Sequence, residues 1–249
     1  MVSIIIPSFN DKDLQKTIDD LRNKAEGEIE IIAIENKPRR EATNEGVAKS
    51  HGEYIMKCDA HCMFGQGYDK LLLTDIQDHW IVVPRRFKLD TEKWEVMEDR
   101  PIDYERLAIA PDRITGVEWK SRARERKDIM IDENMMFQGS CWLISRKHWD
   151  WLGGVSDVGY GSFTQEPEEI GLKTWLGIEG GKVMTNKLTW YAHKHRKFGR
   201  TIAGLTSSQH VKDGNAYSRD FWLNNRWNKR IHDFEWLMKR FGLEYSPAI

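Results

Sequence analysis

The first sixty residues switch between two hydrophobic periods, and that switching limits the chain to few architectures. "VSIIIPSF" (residues 2–9) is a short β-branched run, and "DKDLQKTIDDLRNKA" after it carries Leu14, Ile18 and Leu21 at helical spacing. "EIEIIAIEN" (28–36) reads as a second strand, "RREATNEGVAKSHG" (39–52) as a helix stopped at Gly52, and "EYIMKCD" (53–59) as a third strand. Strands alternating with helices require right-handed crossovers, so the expected fold class is α/β, with a mostly parallel central sheet flanked by helices. Ligands of such sheets lie at the carboxyl ends of the strands. Pro7 and Ser8, Glu35 and Asn36, and Asp59 and His61 therefore converge on one cleft.

Further along, "YDKLLLTDIQDH" (68–79) predicts a helix and "WIVVPRR" (80–86) a strand, whereas residues 88–134 are charged, weakly periodic and expected to form a variable loop region. "MMFQGSCWLISRKHWDWLGG" (135–154) resumes with strand then helix, "EPEEIGLKTWLGIEGG" (166–181) is a helix with a glycine stop, and "KLTWYAHKH" (187–195) is a last strand. "RKFGRTIAGLTSS" (196–208) reads as a flexible segment, and "YSRDFWLNNRWNKRIHDFEWLMKRFG" (217–242) as an amphipathic helix or helix pair. The expected organisation is one catalytic-sized domain over residues 1–205 and a helical extension over 206–249 packed on it. That extension is basic: residues 190–249 hold 11 Lys and Arg against 5 Asp and Glu, while the preceding residues hold 27 against 34. Such a split suits a tail that faces an anion, and equally a solvated helix. With no long apolar run, a short uncharged opening and an odd cysteine count, the chain is expected to be cytoplasmic, without membrane insertion and without disulfides.

The densest chemistry lies in "KCDAHCMF" (57–64). Cys58 and Cys62 have no second pair of ligands for a zinc knuckle and lack Cys-x-x-Cys spacing, so they read as packing. Asp59 and His61, two apart at a strand end, share a face and offer a carboxylate and an imidazole to a divalent ion such as Mn²⁺.

The order of "VSIIIPSFN", then "REATNEGVAKSHGEYI", then "DAHC" resembles the GT-A fold glycosyltransferases, family-2-like. "DAHC" and the residues after it are similar to the polypeptide N-acetylgalactosaminyltransferases, in which Asp-x-His replaces Asp-x-Asp and holds Mn²⁺ on the sugar-nucleotide diphosphate. "GVEWK", "MMFQGSCWLISRKHWDWLGG", "QEPEEIGLKTWLGIEGG" and a late histidine continue the likeness over about residues 2–200.

The resemblance implies a nucleotide-sugar donor, UDP-sugar foremost, and places Pro7, Ser8 and Glu35 at nucleotide positions, with Arg40 and Asn44 on the helix face bordering that pocket. It implies Asp59, His61 and a later histidine as metal ligands. The family's spacing favours His193, although His195 leaves the strand on the same face. Gln138, Gly139 and Ser140 match the stretch lining the donor sugar, and Arg200, with Lys194, Arg196 and Lys197, matches the segment that folds over the diphosphate. Glu166 and Glu169 align with the acids of the family's catalytic helix, and Pro167 stands where inverting relatives keep their base. That favours retention, with a donor phosphate oxygen taking the acceptor's proton, and leaves open a base at Glu166 or Glu168. The acceptor could be a saccharide, a protein or DNA carrying hydroxylated bases, in which last case Arg219, Arg226, Lys229 and Arg230 would contact phosphates. A non-catalytic sugar- or nucleic-acid-binding module on the same fold is the rival reading.

Overall fold

The computed structural model describes residues 1–97, 100–161, 164–194 and 208–245. The chain opens as the sequence predicts: β1 (Val2–Ser8), α1 (Leu14–Lys24), β2 (Ile29–Glu35), α2 (Arg39–Ala48) and β3 (Tyr54–Cys58). β2, β1 and β3 are hydrogen-bonded in parallel, with Ser8 beside Glu35. A tight turn after Cys58 leads into β4 (Cys62–Phe64), and the helix expected over 68–79 is only one turn, α3 (Tyr68–Leu71). Helical geometry stops short of Asp75, whose φ of 58° is left-handed.

The expected loop region over 88–134 is largely structured. β5 (Trp80–Asp90) outruns its predicted end and pairs with β6 (Glu95–Val96). β7 (Glu105–Ala110) and β8 (Arg113–Glu118) form a separate antiparallel hairpin, followed by α4 (Lys120–Glu125) and β9 (Ile131–Glu133). Tyr104, Leu107 and Ile114 are buried through this hairpin. Glu105 is buried and Ile109 exposed, so the strands lack the period-2 alternation that would have marked them in the sequence. β10 (Cys141–Ser145) and α5 (Arg146–Leu152) come next, then α6 (Glu166–Gly177), the long β11 (Lys182–Lys194), α7 (Ser208–Leu223) and α8 (Phe234–Arg240).

The main sheet runs β2-β1-β3-β10-β5-β11-β4. β10 lies antiparallel between β3 and β5, β11 is parallel to β5, and β4 is antiparallel to β11. Hence β2, β1, β3, β5 and β11 point one way, and the sheet is mostly parallel, as expected. Side chains alternate between its faces. Ile5, Ile55, Trp142 and Ile144 enter one core cluster; Ile4, Met56, Cys141 and Leu143 enter the other. All three cysteines are free and buried, Cys141 facing Cys58 across the β3–β10 pair. Burial pushes the Cys58 thiol up to about 12 and the other two well above their usual range, so they act as small hydrophobes.

α6 is buried along nearly its whole length, its polar side chains Glu166, Glu168, Glu169, Lys173 and Thr174 included. The C-terminal segment is a helix pair, broken at Asn225, whose φ is 53°. It shares the first core cluster: Trp222, Trp227, Phe234, Leu237 and Met238 pack with Ile5, Trp142 and Trp175. No helix among the described residues is long and apolar enough to cross a membrane.

Candidate metal centre

The turn after β3 and the end of β11 meet because of register. β4 runs antiparallel to β11 with Cys62 opposite His193, and Lys194 N donates to His61 O at 3.1 Å. Asp59 N donates to Ser140 O at 3.0 Å, and Thr17 Oγ bonds Ala60 O at 3.0 Å while accepting from Cys62 N at 3.0 Å. The backbone of 59–62 is thus fixed on both sides, and Asp59, His61 and His193 are all buried to at least nine-tenths.

Their ligand atoms lie within 4.8 Å of one another. His193 Nε2 is 3.1 Å from His61 Nε2 and 3.2 Å from Asp59 Oδ2. Neighbouring ligands each about 2.2 Å from an octahedral ion sit roughly 3.1 Å apart, so these spacings fit a divalent cation. The donor set fits as well. Asp11 Oδ2 lies 2.7 Å from His61 Nδ1, and since a carboxylate only accepts, His61 donates from Nδ1 and turns the lone pair of Nε2 toward His193. Two nitrogens and one carboxylate oxygen suit a borderline transition ion better than Mg²⁺ or Ca²⁺.

The other oxygen of Asp59 faces cations. Oδ1 accepts from Lys57 Nζ at 2.7 Å and from Arg39. Lys57 is wholly buried; burial, with Arg39 beside it, pushes its ammonium down to about 7. It also donates to Gly139 O and lies 3.7 Å from Glu166 Oε1. Glu166 Oε1 accepts from Trp142 Nε1 at 2.9 Å. Burial opposes its charge, but Lys57, Arg39 and the Trp142 N–H hold it below the usual carboxylate range. Its Oε2 has no hydrogen-bond partner, and Arg39 Nε stands 3.9 Å off. The result is a carboxylate with one bare oxygen, joined through Lys57 and Arg39 to the metal group.

Several expected residues lie elsewhere. Arg40, expected to border the nucleotide pocket, is 1% exposed: it donates to Ser156 O and Thr164 O at 2.7 Å each, pairs with Glu169 and lies over the Tyr160 ring. Glu169, expected to be catalytic, also accepts from Ser156 N at 3.0 Å and pairs with Lys173 at 2.7 Å. Asn44 grips Val155 through its backbone O at 2.8 Å and N at 3.1 Å. All three fasten α2 and α6 to Val155, Ser156 and Thr164. The adjacent Arg39, which no sequence motif marks, is the arginine that reaches the site.

Ser8 is buried with its hydroxyl unpartnered, beside Glu35, which is exposed at the end of β2 with Pro7 opposite Ile34. Gln138 bonds Glu105 and accepts from Arg86 Nη1 at 2.8 Å. Gly139 is needed for packing as well as access: a Cβ there would come within 3.1 Å of Pro167 Cδ. Arg200, with His195, Arg196 and Lys197, lies outside the described residues. In the basic tail, Arg219 donates to Ala110 O, Arg230 to Trp227 O, and Arg226 pairs with Asp220.

Set against solved structures, the chain superposes on GalNAc-T7, determined with UDP, GalNAc and Mn²⁺, with a TM-score of 0.71 at 18% identity, over 97% of this chain and 56% of that one. The fold is GT-A. The chain thus spans just over half the GalNAc-T7 length. A second GT-A neighbour is the mannosyltransferase PcManGT from Pyrobaculum calidifontis, in complex with GDP-Man and Mn²⁺, with a TM-score of 0.51 at 10% identity, over 91% of this chain and 71% of that one. No family profile and no curated protein matches the chain by sequence. On this GT-A domain, Asp59, His61 and His193 are the metal-competent group among the described residues.

Proposed function

We propose that the chain is a metal-dependent glycosyltransferase that moves a sugar from a nucleoside-diphosphate donor, a UDP-sugar foremost, to a hydroxyl acceptor. The observation that carries this reading is the Asp59–His61–His193 group at the cleft of a GT-A sheet, with a charged Glu166 joined to it through Lys57 and Arg39. UDP is favoured because GalNAc-T7, the better-matched of the two neighbours, was solved with it and with Mn²⁺.

A divalent ion held by Asp59, His61 and His193 would supply Lewis-acid neutralisation of the diphosphate. The protein's own groups do the rest. Arg39, beside Asp59, offsets the phosphate charge as the C1–O bond breaks and its electron pair leaves with UDP. Lys57 stays under Asp59 and keeps it oriented. The bare Oε2 of Glu166 accepts a donor-sugar hydroxyl, which fixes the pyranose. Ser8 Oγ and Glu35 take the nucleoside. The new bond forms between C1 and the acceptor oxygen, whose proton passes to a donor phosphate oxygen, so the anomeric configuration is retained. Pro167 cannot act as a base, and the burial and ion pairing of Glu169 keep it out of the reaction.

The test is release of UDP from a panel of UDP-sugars with Mn²⁺, in wild type, Asp59→Ala and an EDTA control. Metal-dependent release lost in the variant supports the reading. Release that persists in the variant contradicts the metal site assigned to Asp59, and failure both to bind and to turn over any donor favours the non-catalytic module.

A further inference from the structure

His61 of the metal group is tied to a short loop that the Asp-x-His motif does not include. Residues 9–13 join β1 to α1. Asp11 Oδ2 sits 2.7 Å from His61 Nδ1, and its Oδ1 accepts from Asp13 N at 3.0 Å, so both carboxylate oxygens are engaged. Leu14 N donates to Asp11 O at 3.2 Å, which anchors the residue to the first turn of α1. Asp13, 2% exposed, pairs with Lys194 at 2.6 Å, next to His193. One loop thus contacts His61 through Asp11 and the neighbour of His193, Lys194, through Asp13.

An imidazole can place its proton on either nitrogen, and only the Nδ1–H form offers Nε2 to an ion. His61 Nε2 points at His193 Nε2, 3.1 Å away, and the ring is held in that pose by Asp11. We propose that Asp11 is a positioning residue of the metal centre: its carboxylate fixes His61 as the Nδ1–H tautomer with Nε2 aimed into the group, and thereby strengthens divalent-cation binding without contacting the ion. The inference rests on the metal reading above and goes beyond it, because it assigns a fourth residue, from a different part of the chain, to the site.

The test titrates Mn²⁺ alone into the full chain by calorimetry, in wild type, Asp11→Asn and Lys16→Met. Asparagine keeps the size of Asp11 but can no longer accept at both positions. Lys16 Nζ donates to Thr91 O at 2.9 Å, so its loss loosens the start of α1 without touching a histidine. Removing a second-layer carboxylate weakens metal binding by roughly 10- to 100-fold, which is the loss expected for Asp11→Asn, with Lys16→Met unchanged. In parallel, ¹⁵N-histidine spectra without metal should show His61 as the Nδ1–H tautomer in wild type and as a mixture in Asp11→Asn. Equal affinity in wild type and Asp11→Asn, or an equal loss in Lys16→Met, overturns the proposal. A wild type that binds no Mn²⁺ brings down the metal reading itself. The spectra then decide the Asp11 role alone: an altered tautomer in the variant supports it and an unchanged one ends it.

Discussion

Asp59 has opposite surroundings at its two oxygens: Arg39 and Lys57 on one, His193 on the other. His193 can therefore be removed without exposing a buried charge. We expect His193→Ala to keep its thermal midpoint and to lose Mn²⁺-dependent donor turnover by about 100-fold or more, since metal stabilisation of a leaving group is worth several kcal/mol. Arg40 shows the reverse. Deleting one member of a buried ion pair costs roughly 3–5 kcal/mol, so Arg40→Met should lower the midpoint by about 10 °C while leaving Mn²⁺ affinity intact. A stable Arg40→Met protein that cannot bind UDP would contradict the structural role given to this side chain. Asp59, His61 and His193 were legible because the first two form a local motif and the third comes from family spacing. Arg39 was not. Neighbours on a helix point about 100° apart, and only the packing of α2 decides which of two adjacent arginines meets the cleft.

Among the elements, α6 holds four buried ionisable side chains, Glu166, Glu168, Glu169 and Lys173. Glu168 accepts from Gly116 N at 3.1 Å, and burial, with Glu105 nearby, pushes its carboxyl up to about 7. The folded chain therefore keeps a proton that the unfolded chain loses between pH ~4.5 and pH ~7, and wild-type stability falls as pH rises through that window. Glu168→Gln cannot lose this proton. Chemical denaturation at both pH values should show the variant gaining roughly 3 kcal/mol relative to wild type by pH 7, with no further change above; parallel curves would refute the assignment. The first five elements could be read from periodicity because their strands are buried on both faces or flanked by clear helices. The β7–β8 hairpin could not. Its strands, ERLAIA and RITGVE, do not alternate apolar with charged residues, and the charge density around them suggested a loop. α7 and α8 were legible as an amphipathic pair, but not how deeply they are buried. Trp222, Trp227 and Phe234 belong to the same core as Trp142. A chain ended at residue 207 should lose cooperative unfolding, monitored by near-UV circular dichroism; a sharp transition in that fragment would show that the extension is dispensable.

For the whole molecule, the sheet order explains why residues 59, 61 and 193 meet. The chain leaves β3 beside β1, turns across the sheet, and returns as β4 on the far side of β11, so the turn itself spans the cleft and faces the last strand. Sequence pattern foretold the parallel opening and the strand ends that converge. It could not foretell β10 inserted antiparallel between β3 and β5, because a strand buried on both faces looks the same in either direction. The proposed activity requires that this cleft hold a divalent cation against a nucleoside diphosphate. The most direct measurement is the electron paramagnetic resonance signal of free Mn²⁺ titrated into the protein with and without UDP, in wild type and Asp59→Ala. Wild type should remove one equivalent of free signal, more tightly with UDP present, and the variant should remove none. A wild-type signal indifferent to the protein, or one that the variant depletes equally, would contradict a metal-dependent transferase.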